Sequence, residues 1–77
     1  MKKVVIYTTP TCGYCHMAKD YFKEKGVEYE EKDVSVDAEA REEMVNKTNQ
    51  MGVPVIEVGD DILIGFNKPK LVELLGV

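Results

Sequence analysis

The chain predicts an α/β domain of order β-α-β-α-β-β-α, in which a four-stranded mixed sheet carries helices on both faces. Three observations predict it. A β-branched apolar run near the amino terminus is followed by apolar residues at helical spacing and then by a second extended segment, which implies a right-handed parallel crossover. Two short apolar runs joined by Gly59-Asp60-Asp61 mark an antiparallel hairpin. The helical segments each carry an apolar stripe, and a sheet with two covered faces buries them all. With 77 residues, the chain is long enough for one domain, spanning 1–77. A domain of this size buries only about 60% of its unfolded surface, so its core is economical.

The elements follow in order. Lys3 to Thr8 reads as a buried strand. Gly13 to Lys25 carries the helical stripe Tyr14, Met17, Ala18, Tyr21 and Phe22, and Gly26 closes it. Val27 to Val34 alternates apolar and acidic residues, as a half-exposed strand does. Asp37 to Lys47 forms a second helix with Glu39 in its first turn, burying Met44 and Val45. Val53 to Val58 and Ile62 to Ile64 form the hairpin. Asn67 caps the last helix, with Pro69 in its first turn and Leu71, Leu74 and Leu75 inward. This order of elements resembles the minimal thioredoxin-like architecture.

The composition is 44% hydrophobic and 31% charged, ordinary for a globular protein and unlike a disordered chain or a disulfide scaffold. Net charge is −4, with the acids concentrated between Glu28 and Glu43. Nucleic acid is not expected as a partner, because phosphate binding needs clustered Lys and Arg; the acids read as a solvated face. Met1-Lys2-Lys3 is basic, but only Val4 to Tyr7 are apolar before Thr8-Thr9-Pro10, too few for a secretion signal or a membrane span. A cytoplasmic location is expected. There, reducing conditions make a cysteine pair more suited to catalysis or metal binding than to a structural disulfide.

The informative segment is Thr11-Cys12-Gly13-Tyr14-Cys15-His16, placed between the first strand and the first helix. Two cysteines three positions apart in an α/β chain read as a redox pair. Unpaired N–H groups and the positive end of the macrodipole at a helix N-terminus favour a thiolate. Cys12 falls at the N-cap and Cys15 one turn inside, so Cys12 reads as the nucleophile and Cys15 as the resolving thiol. A free cysteine is about 3% thiolate at pH 7. A helix-end interaction of up to ~2 kcal/mol raises that to roughly half. Lower basicity takes back about fivefold in nucleophilicity, so the larger benefit comes when Cys12 is the leaving group.

Other readings of the segment are weaker. Cys12-x-x-Cys15-His16 also matches c-type haem attachment, with Met44 or Met51 to complete the iron, but two parallel β-α units do not suit an all-helical cytochrome. Two cysteines and an adjacent histidine cannot supply a tetrahedral zinc site, so no metal is expected. His16 reads as a surface residue able to tune Cys12 when protonated. Tyr14 reads as a stacking wall for substrate, and Phe66 is divided between core packing and groove lining.

With these residues in hand, the sequence resembles the glutaredoxins over nearly its whole length. Val5-Ile6-Tyr7-Thr8 leading into Cys12-Gly13-Tyr14-Cys15 and then Ala18-Lys19 is similar to the family's amino-terminal signature. Gly52-Val53-Pro54 resembles a second hallmark, in which the proline is cis and faces the cysteines. Gly65-Phe66-Asn67 matches the loop that holds a glutathione carboxylate. The resemblance implies a Cys12–Cys15 redox disulfide, with substrate or glutathione held by Thr11, Tyr14, Val53, Pro54, Gly65, Phe66 and Asn67. It also implies a monomer that acts on disulfide-containing proteins, with glutathione as co-substrate and no tightly bound cofactor.

The chain departs from the family pattern at three places. Thr9 stands where a lysine is usual, Ile64-Gly65 where Gly-Gly is common, and Asn67 where an aspartate sits. These departures favour, as an alternative, the glutaredoxin-like redoxins that thioredoxin reductase reduces and that serve ribonucleotide reductase. Gly13, in place of the proline usual in dithiol members, resembles relatives that share a [2Fe–2S] cluster between two monomers, a further alternative.

Overall fold

The computed structural model describes residues 3–76; Met1, Lys2 and Val77, included in the expected domain, lie outside the described residues. Seven elements follow one another: β1 (Val4–Thr8), α1 (Gly13–Glu24), β2 (Glu30–Asp33), α2 (Ala38–Thr48), β3 (Val55–Val58), β4 (Asp61–Ile64) and α3 (Lys68–Leu75). The strands form one sheet in the order β2-β1-β3-β4. β1 pairs parallel to β2 and antiparallel to β3, and β3 pairs antiparallel to β4. The expected order and mixed sheet are thus what the chain forms.

Alternation along β1 builds two cores. Val4 and Ile6 face one side, where α1 supplies Ala18, Tyr21 and Phe22 and α3 supplies Leu71. Val5 and Tyr7 face the other, where α2 supplies Ala40 and Met44. β3 divides likewise, sending Ile56 and Val58 to the first core and Val55 to the second. Every residue of β1 is buried, as a central strand covered on both faces requires.

The caps explain where the helices begin. Asp37 accepts the Ala40 N–H at 3.0 Å, and Asn67 accepts the Lys70 N–H at 3.2 Å. Asn49 and Gly76 end α2 and α3 in the left-handed conformation.

Four expectations are corrected. The second strand is only Glu30–Asp33, all of it polar. Val27 precedes it, turned back by its N–H bond to the Phe22 carbonyl at 2.8 Å, and packs with Tyr29 on the first core, while Val34 follows the strand into the second. α2 buries Ala40 and Met44, with Val45 only half-buried. β4 begins at Asp61, which pairs with Val58, so the hairpin loop is Gly59-Asp60. Finally, Met17, which the helical spacing places on the buried stripe, is 52% exposed, as is Tyr14 at 65%, the latter in keeping with its reading as a wall for substrate. Cys15 takes the buried place, and Tyr14, about 100° further back around the helix, is turned outward.

Two polar networks tie the helices to the sheet. The Tyr7 hydroxyl lies 2.9 Å from Glu43 Oε1 and 2.8 Å from Glu57 Oε1; Lys32 pairs with Glu43 and Lys47 with Glu57. Burial first, and then the two carboxylates, push the Tyr7 phenol far above its ordinary titration range. On the other side of the sheet, the buried Thr8 hydroxyl donates to Glu31 Oε2 at 2.8 Å, and Lys19 of α1 reaches the same oxygen at 2.9 Å.

Candidate active site

Beyond Thr8 the chain must turn sharply to begin α1. Thr9-Pro10-Thr11-Cys12 makes the turn, closed by the Cys12 N–H on the Thr9 carbonyl at 3.3 Å. Pro10 occupies the second position, where its fixed φ suits a turn. His16 Nε2, in the tautomer protonated there, donates to the Pro10 carbonyl at 3.2 Å and holds the turn against the first turn of the helix. His16 is thereby anchored to the loop that carries Cys12.

Cys12 is the N-cap of α1, in extended conformation, and its Sγ accepts the Cys15 N–H at 3.1 Å. The two sulfurs are joined as a disulfide, with the α-carbons 5.2 Å apart. Cys12 is partly exposed and Cys15 fully buried. An outside group therefore reaches one sulfur of the pair and not the other. The N–H aimed at Cys12 Sγ, together with the helix dipole, would stabilise negative charge on that atom once the bond opens.

The second segment arrives by sheet register. Tyr7 pairs with Val55, so Val53 and Pro54 lie beside the end of β1 from which the cysteine loop departs. The Val53-Pro54 bond is cis, as the family resemblance implies. Pro54 is buried and Val53 half-buried, and the Val53 backbone forms no hydrogen bond among the described residues.

The third segment is fastened to the second. Gly65, at φ +88°, donates its N–H to the Pro54 carbonyl at 2.8 Å. Phe66 stacks at a tilt on Tyr21, with ring centroids 6.0 Å apart, and packs on the first core. Asn67 commits its Oδ1 to the cap of α3. Of the sequence-predicted residues, Cys12, Cys15, Val53, Pro54, Gly65, Phe66 and Asn67 therefore gather at one end of the sheet, with Thr11 exposed in the turn.

Tyr14 stands away from the core and, with Gly13 and Met17, lines a hollow of about 440 Å³ beside the cysteines. Met17, which spacing assigns to the buried stripe, stands outside the expected site; its i, i+3 relation to Tyr14, itself read as a wall for substrate, is the sequence signal that points to it. Among the described residues no His, Cys, Asp and Glu side chains group as a metal cluster.

Comparison with known proteins agrees with this geometry. The glutaredoxin family model matches residues 4–63. A glutaredoxin-like 8.6 kDa protein of the rubredoxin operon of Clostridium pasteurianum is 40% identical over 72 residues, covering 94% of this chain and 96% of that protein. Glutaredoxin 3 of Escherichia coli K12 is 43% identical over 56 residues, or 73% of this chain and 68% of that protein. Among solved structures, the glutaredoxin-like protein NrdH-redoxin of Escherichia coli, described as having a thioredoxin-like activity profile, superimposes with a TM-score of 0.85. It is 28% identical, and the match covers 94% of this chain and 93% of that one.

Proposed function

The chain belongs to the glutaredoxin family, and on that premise we propose that it reduces protein disulfides or glutathione mixed disulfides through Cys12 and Cys15. The observation that carries the reading is the asymmetry of the pair: Cys12 is accessible at a helix N-terminus and receives the Cys15 N–H, while Cys15 is buried one turn inside.

In the reduced protein, Cys12 thiolate attacks one sulfur of a substrate disulfide. A Cys12–substrate bond forms, the substrate S–S bond breaks, and the departing sulfur leaves as a thiolate. Cys15, having lost its proton, then attacks Cys12 Sγ. The Cys12–Cys15 bond forms, and the second substrate sulfur leaves with the remaining electron pair. The substrate gains two electrons and, from solvent, two protons. Two glutathione molecules restore the dithiol, becoming glutathione disulfide. In this reading Thr11, Tyr14, Val53, Pro54, Gly65, Phe66 and Asn67 hold the substrate half of the mixed disulfide, with the free edge at Val53 pairing to it like an added strand. The protein acts as a cytoplasmic monomer and needs no tightly bound cofactor.

A second reading of the electron source rests on Thr9 and Asn67. Neither offers a charge to glutathione, and the Asn67 amide oxygen is already engaged by Lys70. The likeness to NrdH-redoxin, whose activity profile is described as thioredoxin-like, is consistent with the same alternative, in which thioredoxin reductase supplies the electrons. Oxidised protein offered glutathione, and separately NADPH with thioredoxin reductase, distinguishes the two. Recovery of both thiols with glutathone alone supports the first source, and recovery only with the reductase supports the second. Failure to reduce any disulfide after chemical reduction of the pair overturns the activity itself.

A further inference from the structure

The hollow beside the cysteines does not end at Met17. A second hollow of about 320 Å³, lined by Met17, Asp20, Tyr21, Glu24, Phe66 and Lys68, adjoins it through that residue. Tyr14, Met17, Asp20, Tyr21 and Glu24 recur at intervals of three and four, so one face of α1 forms a continuous wall. The floor is apolar, made by Met17, Tyr21 and Phe66. Lys68 stands on the α3 side with its ammonium 5.8 Å from the Tyr21 ring centroid.

The acid wall costs the helix something. Asp20 and Glu24 are like charges four positions apart, and Glu24 is the last residue of α1, where the helix dipole disfavours an anion. Among the described residues, no ion pair or side-chain hydrogen bond engages either carboxylate. Two acids against the single lysine of the lining, beside an apolar floor, are complementary to a segment that is apolar and basic.

We propose that this groove selects disulfide substrates carrying a Lys or Arg a few residues from the attacked cysteine, with an apolar side chain between them. The proposal rests on the disulfide-reducing activity assigned to Cys12 above. Asp20 and Glu24 lie eight and twelve positions beyond Cys12, about 12 and 18 Å along the helix. An extended segment advances about 3.3 Å per residue, so the basic residue falls about four to five positions from its cysteine. The cationic lip at Lys68 confines it to the α1 side.

The test uses peptides with one cysteine blocked as a mixed disulfide with 2-mercaptoethanol, a leucine two positions away, and Lys, Gln or Glu at the fourth position, in both chain directions. The readout is the ratio of kcat/KM for the Lys peptide over the Glu peptide. In one direction the native protein should favour Lys by about fivefold at low salt, from two exposed charge contacts. The preference should fall towards unity in about 1 M salt, where screening acts within about 3 Å. Asp20→Lys with Glu24→Lys should invert it; if that variant does not fold, Asp20→Asn with Glu24→Gln should abolish it. Equal turnover of the Lys and Glu peptides by the native protein overturns the groove, as does an unchanged ratio in the variants. If the native protein reduces none of the peptides and no small disulfide either, the activity assigned to Cys12 fails together with the groove.

Discussion

At Cys12 a sulfur occupies the position usually filled by the oxygen of Ser, Thr, Asp or Asn, accepting the N–H of the residue three positions on. Cys12→Ser should therefore keep the helix cap while abolishing disulfide reduction. Cys15→Ser leaves the attacking sulfur in place and removes the resolving one, so mass spectrometry should find trapped mixed disulfides. Activity surviving in Cys12→Ser and lost in Cys15→Ser would reverse the assigned roles. Asn67 has an equally local test. Asn67→Ala should cost about 1 kcal/mol in urea unfolding through loss of the α3 cap, whereas Asn67→Asp keeps an acceptor there. Combined with Thr9→Lys, Asn67→Asp should improve glutathione-dependent turnover by about 5- to 30-fold, and no gain in a glutathione-coupled assay would show that the missing charges do not limit it. The cysteines were legible in the sequence because spacing and helix position act over four residues. The groove acids were not, since Asp20 and Glu24 acquire their neighbour Phe66 only when α3 folds back against α1.

Among the elements, β2 shows how a pattern can mislead. Its alternation suggested an eight-residue strand, yet a five-residue β1 offers only four partners, and the apolar residues belong to the approaches on either side. What holds this edge is polar. Lys19 first, then Thr8, holds the Glu31 carboxyl below its ordinary value of 4.5. Lys32 first, then Tyr7, does the same for Glu43. A carboxyl whose folded pKa is lowered contributes stability above its unfolded value and loses it as pH falls through the folded one. Stability should thus decline on acidification below about pH 4.5, from these two groups among others. Glu31→Gln should cost about 0.5–1 kcal/mol at neutral pH, the carboxylate being partly exposed, and the gap from native should close in strong acid. Denaturant titrations at pH 7 and in strong acid check both. Tyr7→Phe leaves the Glu43 and Glu57 oxygens without their shared partner and should cost about 1 kcal/mol. No periodicity in the sequence announces that cluster, which joins residues 36 and 50 positions apart.

The molecule as a whole rests on two small cores divided by one strand. A chain of this length has about 4–12 kcal/mol of total stability. Phe22→Ala, in the core under α1 and α3, should remove about 3–5 kcal/mol and leave little folded protein at 37 °C. Ile6→Val should cost about 1 kcal/mol and lower Tm by about 4–8 °C. The global topology was readable because a parallel crossover and a tight hairpin leave few alternatives once every apolar stripe is buried. β1 is paired along both edges and covered on both faces, whereas β2 and β4 each have one edge open. Amide protons of Val5, Ile6 and Tyr7 should then exchange with deuterium only when the whole chain unfolds, while those of β2 and β4 exchange through local opening. The exchange rates of three backbone sites would thus report the global unfolding free energy, in the disulfide and dithiol forms alike, without denaturant.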